Sequence, residues 1–322
     1  MTKREKMIRA LNCQPVTGHV PHFELVYFLT MEKFGRVHPS QRHYGQWDQM
    51  SEKERNLHRR DVADLYIQTA KAYDHSAIFV NPPPVERPEE NMRQFELIRE
   101  MSGEEYLLMI HGDATFSIPD GNHMYDFSYR LVDDPEGVKR DAQKMVDDAL
   151  RRGEVFARHG LLDCMALCSD YCFNTNPFMS PSQFAEFVTP YLDRLIRGYR
   201  EMGFYVIKHT DGNIMPILDQ LLDCKPHALH SIDPQAKVDL AEVKKRANAK
   251  NVAVIGNVHC GLLETGTDEE VAADVRRALR EGMEGWGYIF STSNCVYTGM
   301  PLERYELMWD IWKKEGIYPE IG

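Results

Sequence analysis

"VAVIGNVHCGLL" (residues 252–263) starts as a buried β-strand and ends as something else. Apolar and small residues run to Gly256, and the chain then presents Asn257, His259 and Cys260 where the hydrophobic stretch stops. A continuous apolar run of this length, flanked by helical patterns, is what a strand covered on both faces requires. The same rhythm extends in both directions. "FYVIKH" (204–209) precedes a helical segment at 214–222, and "HALHSI" (227–232) precedes the helix "VDLAEVKKRANA". After 252–256 comes a helix opened by Thr267-Asp268-Glu269-Glu270, then "GYIFSTS" (287–293) and a last helix starting near Pro301. Acidic residues in a first turn suit the positive end of a helix dipole. Strands alternating with helices predict right-handed crossovers and a parallel sheet.

The first half adds four strand candidates, at 19–25, 76–80, 106–112 and 161–168, and long helices over 51–73, 135–159 and 181–202. Eight strands are the number that closes a (β/α)8 barrel, so the expected fold is an α/β TIM barrel. It forms one domain over residues 1–322, with an N-terminal helical extension that Thr2 and Glu5 cap at capping-box spacing. The Pro-rich "NPPPVERPEE" (81–90) directly follows a strand and is expected to be a rim loop rather than a linker. An open doubly wound sheet is the competing architecture.

With a net charge of −11 and no basic run, nucleic acid is a poor partner. No apolar stretch approaches the roughly 18 residues that span a bilayer, so no membrane role is expected. Seven cysteines without an export signal predict reduced thiols and a cytoplasmic protein.

The polar residues collect at strand ends. The fifth candidate ends in His209 and Asp211, the sixth in Asp233, the seventh in His259 and Cys260, and the eighth in Cys295. In a parallel barrel these ends open onto one face, where active sites of the fold are built. Thiolate, imidazole and carboxylate are zinc donors, whereas magnesium and calcium want oxygen shells. Taken singly, each residue has a plainer role: cysteines pack in cores, and Asp211 and Asp233 can cap the helices that follow. Cys13, Cys164, Cys168, Cys172 and Cys224 are read as packing, and His259 as a hydrogen-bonding rim residue. Only the joint pattern of four consecutive strands points to a metal. Asp170, after the fourth strand, sits beside Tyr171, Phe178 and Met179, which could wall an apolar substrate or pack the loop. Tyr297, just past Cys295, is a further wall candidate.

From "SDYCFNTNPFMSPSQFAEFVTPY" through "KHTDGN", "SIDP" and "GNVHC" to "STSNCVYTGMPLERYELM", the chain resembles the uroporphyrinogen decarboxylase superfamily of (β/α)8 barrels. Its decarboxylase members carry an arginine-rich motif after the first strand, where this chain reads "HFELVYFLTMEKFGR" without paired arginines. Its zinc methyltransferases exchange methyl groups with a corrinoid. The thiol-methylating branch has His-x-Cys at strand five and Cys at strand eight; here His209 and Cys295 are kept and Asp211 replaces the first cysteine. An Asp followed at long intervals by two Cys is similar to the methyltransferase components of anaerobic aryl methyl ether O-demethylases.

That resemblance implies zinc on Asp233, Cys260 and Cys295, with His209, Asp211 or Asp170 as a fourth ligand, an orienting group or a proton donor. It also implies a small methoxylated aromatic as methyl donor and the cobalamin of a separate corrinoid protein as acceptor. A methylcobalamin:thiol methyltransferase acting on coenzyme M or homocysteine, a metal-free decarboxylase-like enzyme and a non-enzymatic binding barrel are the competing expectations.

Overall fold

Each apolar run of the second half becomes a strand, because only a parallel sheet with helices on its outer face covers both sides of it. The computed structural model describes residues 1–80 and 83–319, so the first two residues of the expected 81–90 rim loop lie outside the described residues. The strands are β1 (Gly18–His19), β2 (Ala77–Phe79), β3 (Leu107–His111), β4 (Cys164–Leu167), β5 (Tyr205–His209), β6 (Ala228–His230), β7 (Ala253–Ile255), β8 (Tyr288–Ile289) and β9 (Ile317–Tyr318). β2 to β8 form one parallel seven-stranded sheet in sequence order. This is an α/β fold with a curled sheet of the TIM-barrel kind. No helix among the described residues is long and apolar enough to cross a membrane.

The strand expected over 19–25 is not a ladder. It makes one isolated parallel bridge, His22 with Phe290. Pro21 has no N–H to give a ladder, which shortens the pairing. The segment still bonds to both edges of the sheet. Ser76 N, just before β2, donates to His22 O (2.6 Å), and Phe290 N, just after β8, donates to Pro21 O (2.8 Å). β1 and β9, which the pattern did not foretell, pair antiparallel below it.

The helices expected over 51–73 and 135–159 form at Glu52–Ala72 and Pro135–His159. The one expected over 181–202 breaks into Pro181–Phe187 and Thr189–Glu201. Pro190 causes the break at Val188, since it lacks an N–H for the ladder and its ring crowds the carbonyl of Glu186 one turn earlier. The N-terminal helix Lys3–Leu11 carries the foreseen Thr2–Glu5 capping box. Arg4 ties this helix beneath the sheet: its N–H donates to Glu105 O (2.8 Å) and its guanidinium to Asp163 (2.5 Å), both residues preceding strands. The carboxyl ends of the strands stay on the other face.

A buried ion pair organises that face. Lys208 on β5 reaches Asp113 beyond β3 (2.9 Å) and the carbonyl of Ser169 beyond β4 (2.8 Å), with its ammonium 4.2 Å from the centre of the Tyr171 ring. Asp113 also accepts from Ser169 N (2.8 Å) and Thr115 N (2.9 Å), and the lysine beside it drives its carboxyl well below the usual range against the opposing cost of burial. The loops that follow β3 and β4 are thereby pinned to the end of β5. Breaking such a pair strands a buried charge and costs about 3–5 kcal/mol. Lys208→Met should show that loss as a lower urea midpoint, and an unchanged midpoint would contradict the role given to the pair.

Candidate functional site

The register of the sheet sets the site. His209 ends β5 directly opposite His230 at the end of β6, and both are buried. His230 Nε2 lies 3.1 Å from the carbonyl of Thr292, and its Nδ1 lies 2.8 Å from His209 Nδ1. Burial pushes both imidazoles down to about 3, with Lys208 adding to the effect on His209 and His209 itself on His230. Both rings are therefore neutral at pH 7, with one proton each. A carbonyl can only accept, so His230 carries its proton on Nε2 and offers a bare Nδ1. His209 must then donate from Nδ1, which leaves its Nε2 as a lone pair.

That lone pair faces two carboxylates. His209 Nε2 is 3.7 Å from Asp211 Oδ1 and 3.9 Å from Asp170 Oδ1, and the three donor atoms lie within 4.8 Å of one another. Asp211 Oδ1 is buried without a well-formed hydrogen bond among the described residues, although the Ser231 side chain is close enough to favour its ionised form. Burial, and after it the like charge of Asp170, raises the Asp211 carboxyl to about 7. Three acceptor groups pointed at one another repel unless a cation or a proton lies between them. The residues fit a metal ion.

The thiols lie outside this cluster: among the described residues Asp170, His209 and Asp211 bring donor atoms within 4.8 Å of one another, and Cys260 and Cys295 do not join them. Cys260 starts the short helix Cys260–Thr265, its Sγ 3.5 Å from Ser293 Oγ and 3.7 Å from the carbonyl of Cys295. Burial pushes both thiols up to about 12; Cys260 and then Asp211 add to the effect on Cys295. They are neutral thiols until a cation draws them into the thiolate form. Asn294 links the two groups, since its amide donates to Asp211 Oδ2 and its Oδ1 accepts from Cys295 N (2.7 Å).

Asp233 is differently engaged. Its Oδ1 accepts from Gln235 N (2.9 Å), a cap, and its Oδ2 from Gly212 N (3.2 Å). It thus holds the Asp211–Gly212 turn, where a Cβ on Gly212 (φ +82°) would overlap the carbonyl oxygen of Cys172. Asp170 Oδ1 holds the same turn through Asp211 N (2.9 Å). His259 caps the helix that follows it, accepting from Leu262 N at 3.3 Å.

The four aromatic and Met candidates divide. Tyr171 is buried, its hydroxyl 2.6 Å from Thr115 Oγ1, and Met179 is buried in the core. Phe178 is half-buried and stacks near Phe127, with centroids 6.3 Å apart. Tyr297 is exposed, and burial of its hydroxyl end beside Cys260, Cys295 and Asp211 raises its pKa. His230, Asn294, Lys208 and Glu24 escaped the sequence reading. A lysine and a glutamate inside apolar strand patterns ("YVIKH", "HFEL") were the available signals for two of them.

Residues 131–315, over half of the chain, match the uroporphyrinogen decarboxylase (URO-D) family. The chain belongs to that family. No curated protein matches it. Among solved structures it is similar to a methyltransferase from Methanosarcina mazei, at 16% identity and a TM-score of 0.72, covering 98% of this chain and 99% of that one. A GH5_18 protein from Streptomyces cattleya aligns at 13% identity and a TM-score of 0.49, over 94% of this chain and 83% of that one. N-acetylneuraminate lyase from Fusobacterium nucleatum gives 10% identity and a TM-score of 0.42, over 80% and 70%. The Methanosarcina structure shares the family fold over nearly its whole length.

The buried imidazoles give the metal-free chain a definite pH response. Burial holds His22, His38, His75, His111, His209, His227 and His230 below their ordinary value. Below about 6.5 the unfolded chain binds their protons and the folded chain does not, so stability is lost as pH falls. Glu24 (raised to about 8), Asp211 (about 7) and His123, raised by its bond to Asp120, act with the opposite sign, because there the folded chain binds the extra proton. Seven groups outweigh three. The Tm of chelator-treated protein should therefore fall between pH 7 and pH 5; a flat or rising Tm would contradict the neutral buried histidines.

Proposed function

We propose that this chain is a zinc-dependent methyltransferase that takes the methyl group of a methoxylated aromatic and passes it to the cobalamin of a separate corrinoid protein. The observation that carries the reading is the bare His209 lone pair facing Asp211 and Asp170 beside two thiols, all at the carboxyl ends of the strands. The seven-stranded sheet with the His22 segment between its edges is taken as one closed (β/α)8 barrel over 1–322, with a single mouth on that face. Family membership supports the reading, as does the likeness in fold to a methyltransferase.

Zinc donors would be drawn from His209, Asp211, Cys260 and Cys295, with Asp233, the third member of the ligand set that the resemblance implies, holding the turn from behind. Mixed sulfur, nitrogen and oxygen donors suit zinc. When bound, zinc supplies Lewis-acid polarisation of the ether oxygen and so lowers the cost of the departing phenolate.

The chain's own residues do the rest. His230 fixes the ring of His209, as outer partners of metal-bound histidines do. Asp170, nearly half exposed at the mouth, passes a proton from solvent toward the phenolate oxygen. Tyr297 and Phe178 wall the aromatic ring, whereas Tyr171 shapes the site only by fixing the loop after β4. The strand-end location suits a substrate whose methyl carbon must be reached from outside by a protein-bound corrinoid.

Protein purified without added metal or chelator should carry about one zinc per chain by elemental mass spectrometry. Cys260→Ala and Cys295→Ala should each lose zinc and methyl transfer while keeping wild-type circular dichroism. Transfer is read as oxidation-sensitive cob(I)alamin converting to methylcobalamin in the presence of methoxylated aromatics. A Cys295→Ala variant with full zinc and full turnover would remove the thiol from the site. Turnover of methylcobalamin with thiols but not ethers would move the chain to the thiol-methylating branch.

A further inference from the structure

Glu24 is a fully buried carboxyl outside the donor set, yet it is bonded into the network that orders the donors. It ends the segment that lies between β8 and β2. Its Oε2 meets Thr292 Oγ1 (2.5 Å), Thr292 N (3.1 Å) and Ser291 Oγ (3.1 Å), and its Oε1 lies 3.4 Å from the Tyr305 hydroxyl. Thr292 is a node with two branches. Its carbonyl accepts from His230 Nε2, which sets the proton of His209. Its hydroxyl lies 2.7 Å from the carbonyl of Asn294, whose side chain holds Asp211 and the backbone of Cys295.

We propose that Glu24 is a positioning residue for the metal donors: by clamping Thr292 it keeps His209 in the tautomer with a bare Nε2 and keeps Asn294 against Asp211. The role rests on the reading of His209 and Asp211 as donors. Proton counting supports it. The single hydroxyl proton of Thr292 cannot serve both Glu24 and the Asn294 carbonyl. If Glu24 is protonated, it donates to Thr292 Oγ1, and Thr292 then donates to Asn294 O, so both contacts of the Thr292 hydroxyl are satisfied. Burial raises the Glu24 carboxyl to about 8, consistent with that neutral form at pH 7. Thr292 is further held from the other side, where Ser293 N donates to Val258 O (2.8 Å), so the carbonyl facing His230 has little freedom while the clamp is intact.

The test uses the full chain with ¹⁵N-labelled histidine. In metal-free wild type, nitrogen shifts should show His209 protonated on Nδ1 and His230 on Nε2. In Glu24→Ala, His209 should become a mixture of tautomers, and zinc affinity, measured against a competing chelating dye, should fall about 10- to 100-fold. Glu24→Gln keeps an acceptor and a donor at the same place, so it should restore the single tautomer and most of the affinity. Thr292→Val keeps volume but removes the hydroxyl, and it should weaken zinc in the same direction; it decides the matter if Glu24→Ala does not fold. A folded Glu24→Ala with one tautomer and wild-type affinity would overturn the proposal. Wild type that takes up no zinc, with tautomers still scrambled in Glu24→Ala, would overturn the metal reading and reduce the role of Glu24 to ordering the two imidazoles.

Discussion

A single backbone carbonyl, that of Thr292, decides the chemistry of this site. It can only accept a hydrogen bond, so it fixes the proton of His230, and His230 fixes the proton of His209. The consequence is a buried imidazole's lone pair aimed at two carboxylates, one of them half-exposed at the strand ends. Burial is what makes the relay rigid in protonation as well as geometry: in water either ring could take a second proton near neutral pH, but here the charged form is too costly. The arrangement is unfavourable by itself and becomes favourable with a cation in place, which is how protein metal sites commonly trade local stability for function.

The parallel sheet makes the relay possible. Its register places His209 opposite His230 on neighbouring strands, and the right-handed crossovers bring residues tens of positions apart to one face. Lys208 then fastens the loops beyond β3 and β4 to the end of β5, so Asp170 and the Asp211 turn meet in a fixed relation. The lysine and His209 are adjacent in sequence but do opposite work: one pairs with Asp113, the other is kept neutral by burial. A conformationally free glycine at 212 allows the turn to lie against Cys172.

How much of this was legible in the sequence depends on whether the signal was local. The strands from "YVIKH" to "GYIF" and the helices opened by Thr2 and Thr267 were readable because hydrophobic periodicity and capping chemistry act within a few residues. The first strand was blurred by Pro21, and the break at Val188 was written in Pro190 but outweighed by the long helical pattern around it. Among site residues, His209, Asp211, Cys260 and Cys295 announced themselves by ending strands in donors. The role of Asp233 was ambiguous because a cap and a ligand look alike in sequence, and its two oxygens are engaged by Gln235 and Gly212. His230 and Asn294 act only through contacts across the sheet, so nothing at their own positions distinguishes them from packing, whereas Glu24 left one local sign, a glutamate inside an apolar strand pattern.

The central claim is that a cation sits between the His209 lone pair, Asp211 and the nearby thiols. X-ray absorption at the zinc edge of the purified protein tests it most directly. The account predicts a mixed shell, with sulfur near 2.3 Å and nitrogen or oxygen near 2.0 Å. A shell of oxygen alone, or no zinc retained after reconstitution, would contradict it.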